Sequence, residues 1–106
     1  MSEKPKVLIV EDESYYQECY RGWFGEKVVL FQVKDLVSAR QLFDENPDIA
    51  LVVIGAHTAG KGPHPTSLVR YIRERGFTGP MIAGAIDSFS RRELMEAGCD
   101  YEEIRG

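Results

Sequence analysis

The feature that most constrains this chain is the run Ile49-Ala-Leu-Val-Val-Ile54, with Asn46-Pro47-Asp48 before it and Gly55 behind it. It carries no charge, and Ile49, Val52, Val53 and Ile54 are β-branched, which favours extended backbone over helix. A short apolar run between turn signals predicts a strand buried on both faces, as in a parallel sheet covered by helices on each side. In open sheets of that kind, ligands and chemistry gather at the carboxyl ends of the strands. There this strand presents Gly55, Ala56, His57 and a glycine-rich loop, with no carboxylate and no nucleophile stronger than Thr58.

The rest of the chain repeats that theme. Lys6 to Val10 is a second apolar strand, and it ends in Glu11-Asp12-Glu13. Ser14 is the predicted cap of a helix with Tyr16, Cys19, Tyr20, Trp23 and Phe24 on one face, the spacing that turns toward a core. Gly25 ends it. Val28 to Val33 reads as a strand, and Asp35 as the cap of a helix through Glu45 with Leu36, Ala39, Leu42 and Phe43 inward. Thr66 or Ser67 opens a third helix, with Leu68, Val69 and Ile72 on one face and Gly76 as its end. Gly79-Pro80 leads into the strand Met81 to Ile86. Asp87 or Ser88 then caps a helix containing Leu94, Met95 and Ala97, stopped by Gly98. Tyr101 to Ile104 is the last strand. Five strands alternating with four helices predict right-handed crossovers and a doubly wound parallel five-stranded sheet, an α/β fold in a single domain spanning 1–106.

Composition narrows the function. A net charge of −4 with no basic cluster gives no electrostatic basis for nucleic-acid binding. The opening Met-Ser-Glu-Lys-Pro-Lys has no apolar segment of signal type, and no run approaches the roughly 18 apolar residues of a membrane span. A cytoplasmic location is expected. Cys19 and Cys99 both sit in apolar patterns, which predicts buried free thiols rather than a metal pair.

The stretches Lys6-Val-Leu-Ile-Val-Glu-Asp-Glu13, Asn46-Pro-Asp-Ile-Ala-Leu-Val-Val53, Leu68 to Gly76, Pro80-Met-Ile-Ala83 and Glu96-Ala-Gly-Cys-Asp100 together resemble a receiver domain of two-component signalling, in order and at that family's spacing. The resemblance implies the flavodoxin-like receiver fold. In that family a phosphoryl group passes to an aspartate at the end of the third strand, beside Mg²⁺ held by an acidic pair. The pair is matched by Glu11 and Asp12. The acceptor's place falls on Val53, which can take no phosphoryl group and ligate no metal. The place of the family's Ser/Thr falls on Ala85, and that of its Lys on Arg105, a cation of different geometry. The chain ends where the family's last helix would begin. The resemblance thus implies a stand-alone pseudo-receiver, not an enzyme, with no cofactor and at most weak Mg²⁺ binding at Glu11 and Asp12. On the same basis a Val53→Asp change would complete the acidic site and gain Mg²⁺ affinity.

Such a module acts in a signalling pathway through protein contacts. The face of the fourth helix and its flanking strands is the expected surface, with Phe89, Arg91, Arg92 and Tyr101 exposed, and a second copy of the chain is the expected partner. The alternative is a small flavodoxin-like domain binding an anion or nucleotide at the loop Gly55 to Pro65. Gly55-Ala-His-Thr-Ala-Gly-Lys61 matches most of a phosphate-binding loop, but Gly62-Pro63 follows where that motif needs Ser or Thr and an immediate helix. His57 and His64 in the same loop are too weakly constrained to predict a metal site. Glu11, Asp12 and Glu13 also have a purely structural reading, since carboxylates favour a helix N-terminus.

Overall fold

The computed structural model describes residues 4–55, 64–85 and 88–104, with the side chains of Ala85 and Ile104 excepted. The strands are β1 (Lys6–Val10), β2 (Val29–Val33), β3 (Ile49–Gly55), β4 (Met81–Ala85) and β5 (Tyr101–Ile104). The helices are α1 (Ser14–Phe24), α2 (Leu36–Glu45), α3 (Pro65–Glu74) and α4 (Ser88–Ala97). All strand pairs are parallel, in the order β2-β1-β3-β4-β5. The α/β architecture is the doubly wound one expected, and the strand order reverses between β1 and β3, the switch point at which open sheets of this kind bind their ligands.

The two faces of the sheet are covered unequally. Leu8, Val10, Val52, Ile54, Met81 and Ala83 point to one face and pack under α2, α3 and α4 through Phe43, Leu68, Val69, Ile72 and Leu94. On the other face Val7, Ile9 and Val53 pack beneath α1 through Tyr20, with Leu30, Leu51 and Ile82 only partly covered. The apolar stripe expected of α1 faces the core through Tyr20, with Tyr16 and Phe24 packed against the same cluster, and departs from the expectation at one position. Tyr20 is buried, but Trp23 is 64% exposed and Gln17 takes a buried place instead. The reason is a hydrogen-bond requirement. Gln17 Nε2 donates to the carbonyls of Glu11 and Val33, each at 2.9 Å, and so satisfies the ends of β1 and β2. Gln32 then donates to the Gln17 backbone carbonyl at 2.6 Å and to its Oε1 at 2.7 Å. A buried polar group that is fully bonded can displace an apolar one from the core face.

Helix ends follow the sequence with two exceptions. Asp35 caps α2, accepting from the Ser38 N–H at 2.7 Å and its hydroxyl at 3.0 Å, and these bonds hold its carboxyl below the ordinary range. Glu13 rather than Ser14 occupies the cap position of α1, without a side-chain cap bond. His64-Pro65 does not delay α3 but begins it. Proline at the first helical position loses no hydrogen bond, and His64 Nδ1 accepts from the Thr66 N–H at 3.2 Å. The cap expected at Asp87 lies outside the described residues. Cys99 is buried, which pushes its thiol up to about 12, whereas Cys19 is only half-buried.

The pairing of β1 with β3 is irregular at its start. Lys6 pairs with Ile49 but Val7 pairs with Leu51, so β3 carries one extra residue near Ala50.

Candidate functional site

The strand ends define the candidate site, and Glu11 is at its centre. It follows β1, and its backbone N–H donates to the Val33 carbonyl at 2.9 Å, which extends the sheet by one residue. Alternation along β1 puts Glu11 on the face of Val7 and Ile9, the α1 side. The next strand end is Gly55, one step beyond the pair Val10–Ile54. A Cβ on Gly55 would lie 2.5 Å from Glu11 Oε1 and 3.1 Å from its Cδ. The Glu11 carboxylate therefore occupies the space in which any side chain at position 55 would begin. It is 2% exposed, and its Oε2 accepts from the Glu13 N–H at 3.1 Å.

Val53 is elsewhere. It pairs with Ile9 and Ile82 in the body of the sheet, 1% exposed beneath α1. Gly55 is thus the β3 residue whose side-chain space the Glu11 carboxylate fills, and Val53 lies two residues earlier on the same face.

The same row of the sheet continues through Gly84, paired with Gly55, to Glu103, paired with Gly84. Two adjacent glycines leave an open lane over the sheet. Tyr20 crosses it from α1, its hydroxyl donating to Glu103 Oε1. The Tyr20 contact was not legible in the sequence, where Glu103 reads as a polar residue of a C-terminal strand.

Asp12 completes the acidic pair, and its Oδ1 is buried without a hydrogen-bond partner. Mg²⁺ takes near-octahedral oxygen coordination and needs carboxylates free to turn toward it. Glu11 is committed to Gly55 and Glu13, and among the described residues no group of three acidic, histidine or cysteine side chains is placed to hold a metal. The residues present do not fit a tight Mg²⁺ site.

Other predicted positions separate. Ala85 pairs through its backbone with Ile104, while Arg105 lies outside the described residues, as do His57, Lys61 and nearly all of the loop assigned to anion binding. His64, at the foot of that loop, is tied to the start of α3 and sits 3.8 Å from Glu93. Phe89 and Arg92 are exposed on α4 as expected. Arg91 is not: it is 9% exposed, with its Nε 3.8 Å from Glu102 Oε1, because α4 lies over β5 and turns Arg91 toward the sheet. Tyr101 is 61% exposed but shares a face with Ile82 and Val53, opposite to α4. The four contact candidates do not form one surface.

The packing of Glu11 on Gly55 has a measurable consequence. Gly55→Ala forces Glu11 aside and is expected to cost about 1–3 kcal/mol, the usual range for overpacking. Glu11→Ala in the same chain removes the obstruction, so the double variant should lose less than the sum by about 1 kcal/mol in urea unfolding. Strict additivity would show that the two residues do not compete for space.

No protein-family model and no curated protein matches the sequence. Solved structures do match in fold. The signal receiver domain of an HD domain-containing protein from Pseudomonas fluorescens Pf-5 aligns over 97% of this chain and 83% of its own, with a TM-score of 0.82 at 16% identity. The receiver domain of the TMAO respiratory system response regulator TorR aligns over 95% and 83%, at 0.80 and 22% identity. A CheY-like response regulator receiver domain from Methylobacillus flagellatus aligns over 97% and 87%, at 0.79 and 17% identity. With its strand order and its acidic residues at the strand ends, the chain has the fold of a response-regulator receiver domain.

Proposed function

We propose that this chain is a pseudo-receiver: a non-enzymatic signalling module that takes up no phosphoryl group and acts by binding protein, a second copy of itself first of all. The observation that carries this reading is the contact between Glu11 and Gly55. Aspartyl phosphorylation needs a carboxylate nucleophile at the strand end with room for a phosphoryl group above it. Here the strand end has no side chain, and a buried carboxylate already fills that room. Phosphate would meet the negative charge of Glu11 and Asp12, with no third metal-ligating side chain grouped with them among the described residues. The receiver fold supports a role in signal transduction. Among the described residues no helix is long and apolar enough to cross a membrane, in keeping with a cytoplasmic location.

The test is exposure to acetyl phosphate with Mg²⁺, read by intact mass, and to beryllofluoride with Mg²⁺, read by amide chemical shifts. Neither mass nor shifts at Glu11, Asp12 and Gly55 should change. A stable gain of one phosphoryl group would overturn the proposal. A thermal shift with a nucleotide alone would transfer the function to the loop between Gly55 and Pro65.

A further inference from the structure

Helices α2 and α3 pack side by side, and the groove between them holds two small cavities that the candidate site does not use. The first, of about 310 Å³, is lined by Arg40 of α2 and by Ser67, Arg70, Tyr71 and Glu74 of α3. The second, of about 240 Å³, lies toward the carboxyl ends of both helices, among Phe43, Asp44, Pro47, Arg75 and Phe77. Its floor is aromatic, with Phe43 and Phe77 edge to face at 5.9 Å between ring centroids. Tyr71 stands between the two. Its hydroxyl donates to Asp44 Oδ2 at 2.7 Å and accepts from Arg75 Nη2 at 2.7 Å, so these two charges are spent on each other. The Arg40 guanidinium rests 4.0 Å from the centre of the Tyr71 ring, a contact that holds the cation in place without giving its N–H groups an oxygen. Arg70 is exposed. Among the described residues neither Arg40 nor Arg70 donates a hydrogen bond to an oxygen or pairs with a carboxylate.

We propose that the α2–α3 groove binds an extended acidic segment of a partner protein, with a carboxylate on Arg40 and Arg70 and, two residues along, an apolar side chain on Phe43 and Phe77. The inference rests on the pseudo-receiver reading, that the chain acts by binding protein, and adds to a second copy a partner of stated chemistry. Three observations carry it. The guanidinium forks of Arg40 and Arg70 have donors to spend at one cavity, and a carboxylate is the group that takes two parallel donors from such a fork. The spacing sets the segment. Arg40 to Asp44 and Arg70 to Arg75 each advance the groove by about 6–8 Å at 1.5 Å per helical residue. Side chains two apart on an extended chain share a face and stand about 6.5–7 Å apart, so one segment reaches both cavities. Charge then selects acid. The two arginines outnumber Glu74 at the first cavity, whereas the chain as a whole carries −4 and repels an acidic ligand elsewhere. Glu74 opposes the same ligand, so removing its charge should strengthen binding.

The probes are the peptide acetyl-Gly-Glu-Glu-Ser-Phe-Gly amide and its reverse, acetyl-Gly-Phe-Ser-Glu-Glu-Gly amide. Each is titrated to millimolar concentration into the full isotope-labelled chain and followed by amide chemical shifts. One of them should move Arg40, Arg70 and Phe77 and leave Glu11 and Gly55 in place. Replacing both glutamates of the peptide with glutamine, or its phenylalanine with serine, should weaken binding about tenfold or more. In the protein, Arg40→Gln and Arg70→Gln should each do the same, while Glu74→Gln should tighten binding about threefold. All three positions are exposed, and thermal unfolding of the variants checks that the fold is kept. No shift with either peptide would overturn the proposal, as would binding that ignores Arg70→Gln. Self-association of the chain in sedimentation that Arg70→Gln abolishes would give the groove to a second copy and overturn the choice of partner. None of these results alters the response to acetyl phosphate, so this inference and the pseudo-receiver reading fail separately.

Discussion

Val53→Asp is expected to unfold most of the protein at neutral pH rather than to create a metal site. Val53 lies 1% exposed between Ile9 and Ile82, and in its cluster the only polar side-chain groups are the hydroxyls of Tyr16 and Tyr20, the latter already donating to Glu103. An ionised carboxylate there is cut off from water and has no cation beside it in that cluster, and its burial costs about 3–5 kcal/mol. That removes a large share of the roughly 5–15 kcal/mol that holds a domain together. The buried acid escapes by staying protonated, so its pKa in the folded state is raised. A group of that kind binds its proton more tightly folded than unfolded, and the deficit should therefore shrink as the pH is lowered. Urea unfolding of the variant across the range from neutral to mildly acidic pH measures this. A variant of native stability that binds Mg²⁺ would instead place Val53 at the strand end, in the position that Gly55 holds beside Glu11.

Most of the fold was legible in the sequence because its signals are local. The apolar runs of β1 and β3, the Asp35 cap and the glycine stops at Gly25, Gly76 and Gly98 each resolve within a few residues. The site was legible only in part. Glu11 and Asp12 stand at the strand ends as the sequence suggested, but which residue faces them depends on register. The register of β3 against β1, with one extra residue near Ala50, leaves no mark in composition or periodicity. A side chain's direction is also tertiary information. Trp23 fits the apolar stripe of α1 as well as Tyr20 does, yet Tyr20 is buried and Trp23 exposed, while Gln17 takes a buried place to serve the carbonyls of Glu11 and Val33. Arg91 and Tyr101 were grouped as one face of the fourth helix and its flanking strands, whereas alternation along β5 sends Glu102 toward α4 and Tyr101 away from it.

Arg73 shows the same limit at its largest. In the sequence it is one of several charged residues near the end of a helix. In the structure its guanidinium joins α3 to both ends of the segment that carries α4. Nε and Nη2 donate to the Gly98 carbonyl at 3.0 and 2.9 Å, and Nη1 donates to the carbonyls of Phe77 and Gly79 at 3.0 and 2.8 Å. Nη2 also meets Asp100 Oδ2 at 2.7 Å, and that oxygen accepts from the Met81 N–H at 3.0 Å. One side chain thus satisfies three loop carbonyls and fixes the entry to β4 against the entry to β5. Hydrogen bonds from a charged donor contribute about 1.5–3 kcal/mol where water is excluded, and this group is partly exposed, so the sum is well below the simple total. Arg73→Met should lower stability by about 3 kcal/mol, because the carbonyls lose their donors together. Arg73→Lys should recover little of it, since a single ammonium cannot reproduce the planar fork. Asp100→Asn keeps an oxygen for the Met81 N–H and should cost only about 1 kcal/mol. In a domain of this size each kcal/mol is worth about 4–8 °C, so the three variants should separate clearly in thermal unfolding. Hydrogen exchange should show the Arg73 loss first at the β4 and β5 amides. If Arg73→Lys melts with the wild type, the guanidinium network does not hold these strands in place.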